Sequence, residues 1–230
     1  MVSRRAVLGA GALVVLPGQR RAAVPAVNSP SDATQALARL REGNMRWVRG
    51  AARHPDASLP RRQDLAGGQA PFAVVFSCID SRVPPELVFD QGLGDLLVVR
   101  TAAHTLDRLV TGSLEYGPAE LATPLLLVLG HQRCGAVTAA VGALRGGEPL
   151  PGHLAEVAED LRLPYQAVLA RGVAEADLVD AVVREQTRQT VEKLRADRLL
   201  APAVAADRLL VCGGYYSLDS GTVAFDSFER

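Results

Sequence analysis

Short, uninterrupted apolar runs punctuate the chain: Phe72 to Phe76, Leu96 to Val99, Leu125 to Leu129 and Leu209 to Val211. Runs of this length suit strands buried on both faces. Between them lie stretches with helical spacing, at Asp107 to Tyr116, Gly135 to Leu144 and about Glu175 to Arg195. Strand alternating with helix predicts an α/β fold with a mainly parallel central sheet flanked by helices. Upstream, Ser31 can cap an N-terminal helical arm carrying Ala33, Ala36, Leu37 and Leu40, which Gly43-Asn44 is expected to interrupt. Arg49 to Ala70 holds His54, Pro55, Pro60 and Gly67-Gly68 and reads as loop with one helical turn.

The first residues follow a different pattern. Arg4-Arg5 stands directly before an apolar stretch running from Ala6 to about Pro17, too short to span a bilayer comfortably. A basic head and a short apolar segment make a signal pattern, and the paired arginines point to the twin-arginine route. Val24 and Ala26 fit a cleavage site, so residues 1–26 read as a signal segment and 27–230 as one domain. The expected location is periplasmic or extracellular, or cytoplasmic if the signal does not function.

Composition narrows the function. The 230 residues carry 25 basic and 25 acidic side chains, a balance that gives no support for a nucleic-acid partner. No second apolar stretch reaches membrane length. Three cysteines cannot form a disulfide framework without one left over. Cys212 follows an apolar run and reads as a buried core thiol. The other two sit in motifs with chemistry.

Cys78-Ile79-Asp80-Ser81-Arg82 follows the first strand and His131-Gln132-Arg133-Cys134 the third. Ligands of parallel sheets sit beyond the carboxyl ends of the strands, where both motifs fall. Thiolate and imidazole are the donors zinc favours, and three protein ligands leave a fourth position open, as catalytic zinc requires. Cys78, His131 and Cys134 are therefore the expected metal ligands for one Zn2+. An arginine can hold a carboxylate in a two-pronged bond and keep it ionised. Asp80 and Arg82 are placed to do this beside the metal.

With these motifs the chain resembles the beta-class carbonic anhydrases, which carry C-x-D-S-R and H-x-x-C-G as paired zinc motifs. Glu42-Gly43-Asn44 with Arg46-Trp47-Val48 is similar to the family's N-terminal segment. Pro84 to Asp90, Gly112 to Tyr116 and Gly214 to Asp219 match further stretches, the last a C-terminal hairpin. The resemblance implies reversible hydration of CO2 to bicarbonate by a hydroxide generated at zinc, with Asp80 and Arg82 as the catalytic dyad. It also implies a closed state in which Asp80 becomes the fourth ligand. By matching position, Gln69 is expected near the substrate, and Leu97, Ala102 and Tyr116 at an apolar pocket built partly from a neighbouring subunit. Gly135 is expected to let backbone approach whatever the metal binds. The family implies a homodimer or dimer of dimers.

Two departures stand out. Arg100-Thr101-Ala102-Ala103-His104 replaces the family's R-N-x-A/G-N, and His104 reads as a loop anchor more readily than as a proton relay. Glu120 is a weaker relay candidate. Val75 stands where family members with a bicarbonate-controlled switch have tryptophan. Two rivals share the zinc motifs: a carbonyl sulfide-type hydrolase, and a zinc-holding module without turnover.

Overall fold

The computed structural model describes residue 30 and residues 32–226. The expected signal segment and the expected cap at Ser31 lie outside the described residues. Helix α1 (Ala33–Val48) starts from Asp32, whose side chain accepts from the Gln35 amide. It is not interrupted at Gly43-Asn44. A Cβ at Gly43 would lie 1.7 Å from the Phe89 carbonyl oxygen, so the glycine serves close packing. Asn44 ties the same joint: its amide donates to the carbonyls of Val88 and Gly221 and accepts from the Val223 amide. Composition suggests a break here, but tertiary packing keeps the helix whole.

The loop that follows contains two turns of helix rather than one, α2 (Leu59–Leu65), capped by Ser58. Then come β1 (Ala73–Cys78), the single turn α3 (Pro85–Val88), β2 (Leu96–Thr101), a 3-10 turn over Ala102–His104, α4 (Arg108–Leu121) and β3 (Leu125–His131). Next are α5 (Gly135–Leu144), α6 (Leu154–Asp160), α7 (Arg162–Ala170), α8 (Leu178–Arg195), α9 (Ala201–Ala205), β4 (Leu210–Tyr216) and β5 (Val223–Asp226). The helix expected from Glu175 begins instead with a 3-10 turn over Glu175–Asp177.

The strands form one sheet in the order β2-β1-β3-β4-β5, parallel except for β5. Every residue of β1 and β3 is buried. On one face Val75, Leu125, Leu127 and Leu129 pack with Ala36 and Leu40 of α1; on the other, Val74, Phe76, Leu126 and Val128 meet Leu114 of α4 and Val191 and Leu194 of α8. Cys212 is buried on the α1 face. A further cluster joins α5, α7 and α8 around Val137, Val168, Val182 and Val183 and takes in Cys78 and Cys134. Covering both faces lets the strands be continuously apolar, and it leaves the carboxyl ends of β1 and β3 as the place where polar chemistry collects. No helix among the described residues is long and apolar enough to cross a membrane.

Candidate metal centre

Cys78 is the last residue of β1 and His131 the last of β3, neighbouring parallel strands. After His131 the chain turns sharply, with Arg133 at φ 50, and Cys134 becomes the N-cap of α5. The sulfur of Cys134 therefore faces the amides of Ala136 and Val137 at a helix N-terminus, which favours a thiolate.

The three ligand atoms lie within 4.8 Å of one another, and all three residues are buried. The Cys78 and Cys134 sulfurs are 3.8 Å apart. Two sulfurs at about 2.3 Å from a tetrahedral ion would stand about 3.8 Å apart, so the pair needs no rearrangement to share one zinc. His131 Nδ1 lies 3.0 Å from the Gln132 carbonyl oxygen. A carbonyl only accepts, so Nδ1 carries the proton and Nε2 keeps its lone pair. That Nε2 is buried without a hydrogen-bond partner. A buried, unpaired acceptor beside two thiols is what a metal would satisfy. The residues fit the ion.

Without a metal, the two sulfurs are coupled. The hydrogen bond from Cys134 draws the Cys78 thiol well down, and the same bond pushes Cys134 up. One proton between them is the lowest-cost arrangement of two buried thiols.

Asp80 and Arg82 stand over this cluster. Arg82 donates from Nε to Asp80 Oδ1 at 2.9 Å and from Nη2 to Oδ2 at 2.7 Å, and its backbone amide adds a bond to Oδ1 at 2.9 Å. The Arg82 side-chain bonds hold the Asp80 carboxyl down to about 2. Asp80 Oδ2 lies 3.9 Å from His131 Nε2. Arg100, at the end of β2, donates to the carbonyls of Cys78 (2.8 Å) and Asp80 (2.6 Å), clamping the loop that carries both.

Solved structures share this architecture. A Coccomyxa beta-carbonic anhydrase in complex with acetazolamide is 26% identical, with a TM-score of 0.66 over 85% of this chain and 86% of its own. One of the tetrameric beta-carbonic anhydrases from Sordaria macrospora shares the fold at a TM-score of 0.67, over 84% of this chain and 96% of its own. Residues 73–223 match the family model described as carbonic anhydrase. This chain belongs to the beta-class carbonic anhydrase family. Carbonic anhydrase 2 of Mycobacterium tuberculosis is 43% identical over 185 residues, 79% of this chain and 87% of that one. A carbonic anhydrase of Mycolicibacterium smegmatis is 40% identical over 198 residues, 86% of this chain and 95% of that one.

In this carbonic anhydrase chain the expected pocket residues divide between the two ends of the sheet. Ala102 directly follows β2, whose Thr101 pairs with Cys78, so it sits at the metal end. Gly135 opens α5 one residue after Cys134; a Cβ there would meet nothing within 4 Å, so chain packing does not require the glycine. Gln69 lies at the opposite end, exposed, four residues before β1. Leu97 pairs with Val74 near the start of the sheet. Tyr116 is 49% exposed, beside Gly117, whose Cβ would press on Val74 and Leu97. The length of β1, about 15–20 Å, separates this second group from the cysteines.

His104 is buried, with Nε2 3.2 Å from the Thr187 hydroxyl, and burial lowers its pKa to about 4. That position suits a loop anchor. Glu120 is exposed near the end of α4 that leads into β3, away from the metal end. Sequence reasoning missed Arg100 as a clamp and the Asp180 and Asp219 carboxylates on the His131–Cys134 turn. Arg100 had a signal, a charge closing an apolar strand, and Asp219 ended the matched Gly214 to Asp219 stretch; Asp180 had none.

Proposed function

We propose that this protein catalyses the reversible hydration of CO2 to bicarbonate and a proton, with one zinc ion held by Cys78, His131 and Cys134. The observation that carries this reading is the three buried ligand atoms within 4.8 Å, beside an arginine-held carboxylate 3.9 Å from one of them. Zinc bound there supplies a Lewis acid that makes water acidic near neutral pH. The remaining work belongs to the chain. Asp80, ionised at neutral pH, accepts a hydrogen bond from the attacking water and orients it toward CO2. Arg82 fixes the carboxylate and, through a 3.3 Å bond to the Arg133 carbonyl, ties it to the other ligand loop. Engaged by Arg82, the Asp80 carboxylate would be kept from becoming a further ligand to a metal held there.

Gln69, Leu97 and Tyr116 are too far from their own cysteines to line this site. In this reading they serve the site of a second copy in a homodimer, which is one route by which exposed apolar groups such as Leu93, Leu109 and Tyr116 become covered. Residues 1–26 act as an export signal, checked by N-terminal sequencing of the protein recovered outside the cytoplasm.

The test is a stopped-flow pH-indicator assay of CO2 hydration by zinc-loaded protein, run beside carbonyl sulfide hydrolysis. Hydration that is chelator-sensitive and outpaces carbonyl sulfide turnover supports the reading; a preference for carbonyl sulfide, or no turnover of either, overturns it.

A further inference from the structure

We infer that Asp180, on α8, is a positioning residue for the metal centre, fixing the His131–Cys134 turn through the backbone of Arg133. This rests on the zinc reading above. Arg133 stands between two ligands and adopts φ 50. That left-handed conformation is costly for a residue with a Cβ, so contacts outside the turn must hold it. Two do so directly. The Arg133 amide donates to Asp180 Oδ1 at 3.0 Å, and its carbonyl accepts from Arg82 Nη2 at 3.3 Å. One residue is thus gripped by α8 on one side and by the catalytic dyad on the other.

The Gln132 amide adds a backbone bond to the Tyr216 carbonyl at 2.9 Å, and the turn's remaining tethers act on side chains. Gln132 and Arg133 both reach Asp219, and the Arg133–Asp219 pair is more than half exposed on both partners. Such pairs contribute little on their own. Asp180 binds backbone, where a small rotation would carry His131 and Cys134 apart. Its surroundings keep it in place: Tyr215, on the strand beside β3, lies next to it, and Arg184, one helical turn along α8, stacks 3.6 Å over the Tyr215 ring. Asp180 also lies in the first turn of α8, where a carboxylate favours the helix dipole. That role would affect folding stability without touching metal affinity, so the two are separable.

Zinc affinity is to be measured by competition with a chromogenic chelator for full-length wild type, Asp180→Ala and Asp180→Asn, with thermal unfolding of each metal-free form alongside. Asparagine keeps an oxygen able to accept the Arg133 amide. Alanine is expected to weaken zinc binding about 10–100-fold, as loss of an outer-shell partner does, and asparagine to stay within about threefold. The cobalt(II)-substituted alanine variant is expected to show a shifted ligand-field spectrum. Wild-type zinc affinity in Asp180→Ala, or an equal loss in Asp180→Asn, overturns the inference. If the alanine variant does not fold, hydrogen exchange at the wild-type Arg133 amide decides: protection is expected, and exchange at the rate of an open amide overturns it. A wild type that binds no zinc overturns the metal reading and this one with it.

Discussion

At the carboxyl ends of β1 and β3 the ligand groups are buried and tethered, whereas at the amino-terminal end of the sheet Gln69, Leu97 and Tyr116 stand partly or wholly open. Arg100 donates to the Cys78 carbonyl and Arg82 to the Asp80 carboxylate, Asp180 accepts from the Arg133 amide, and Gln132, on the loop itself, accepts from the Leu218 amide. Gln69 instead lines an open groove of about 480 Å³ with Arg62, Leu65 and Gly94. One end is preorganised within a single chain; the other awaits something. The difference teaches that the two ends of one sheet carry different degrees of order, and on the proposed reading the ordered end holds the ion while Gln69, Leu97 and Tyr116 at the open end serve a second copy.

The largest expected effect breaks the metal end. Cys78→Ser should weaken zinc binding by more than the roughly 100-fold upper range for outer-shell losses and abolish CO2 hydration, read by metal stoichiometry and stopped flow. Zinc content at wild-type level in that variant would contradict the ligand set. Next, Asp80→Ala should cut kcat/KM by about 100-fold or more while zinc stays bound. Unchanged turnover would remove Asp80 from the mechanism.

A mixing experiment sharpens the contrast between the ends. Gln69→Ala should lower activity and leave zinc content unchanged. If two copies share sites, reassorting Cys78→Ser with Gln69→Ala chains restores about one quarter of the wild-type sites, because each mixed dimer holds one site with both residues intact. No recovery after subunit exchange would place Gln69 outside the partner's site.

The smallest effect concerns stability away from both ends. Burial alone would push the Glu185 carboxyl up, but bonds from Arg188, Gln189 and Arg171 hold it down to about 2. Unfolded, it titrates near 4.3. The native pKa is depressed, so its contribution is present above about pH 4.3 and lost as pH falls toward 2. Glu185→Gln should lower Tm by about 3–6 °C at pH 7, reflecting a loss of about 1–2 kcal/mol. The gap should close below pH 4. A constant difference across that window would contradict the assignment.

How much of this was legible in the chain depended on how local each cause was. The apolar runs marked all four parallel strands, because strands buried on both faces must be apolar throughout. Their ends were set by pairing instead: β4 runs on through Gly213 and Gly214, which have no strand-forming side chain, because they lie beside Val128 and Leu129 of β3. Gly43-Asn44 misled for a similar reason, since the Phe89 carbonyl that requires the glycine is 46 residues away. The Cys78–His131–Cys134 cluster and the Asp80–Arg82 pair were readable because few residue types and spacings suit zinc chemistry. Asp180 was not, because an acid on an amphipathic helix looks like any solvated charge until the fold sets it against a backbone amide.

Zinc K-edge absorption on the stoichiometrically loaded protein addresses the convergence of Cys78, His131 and Cys134 most directly. The expected first shell holds two sulfurs at about 2.3 Å and two nitrogen or oxygen atoms at about 2.0–2.1 Å. A shell without sulfur, or one made of sulfur alone, would contradict it.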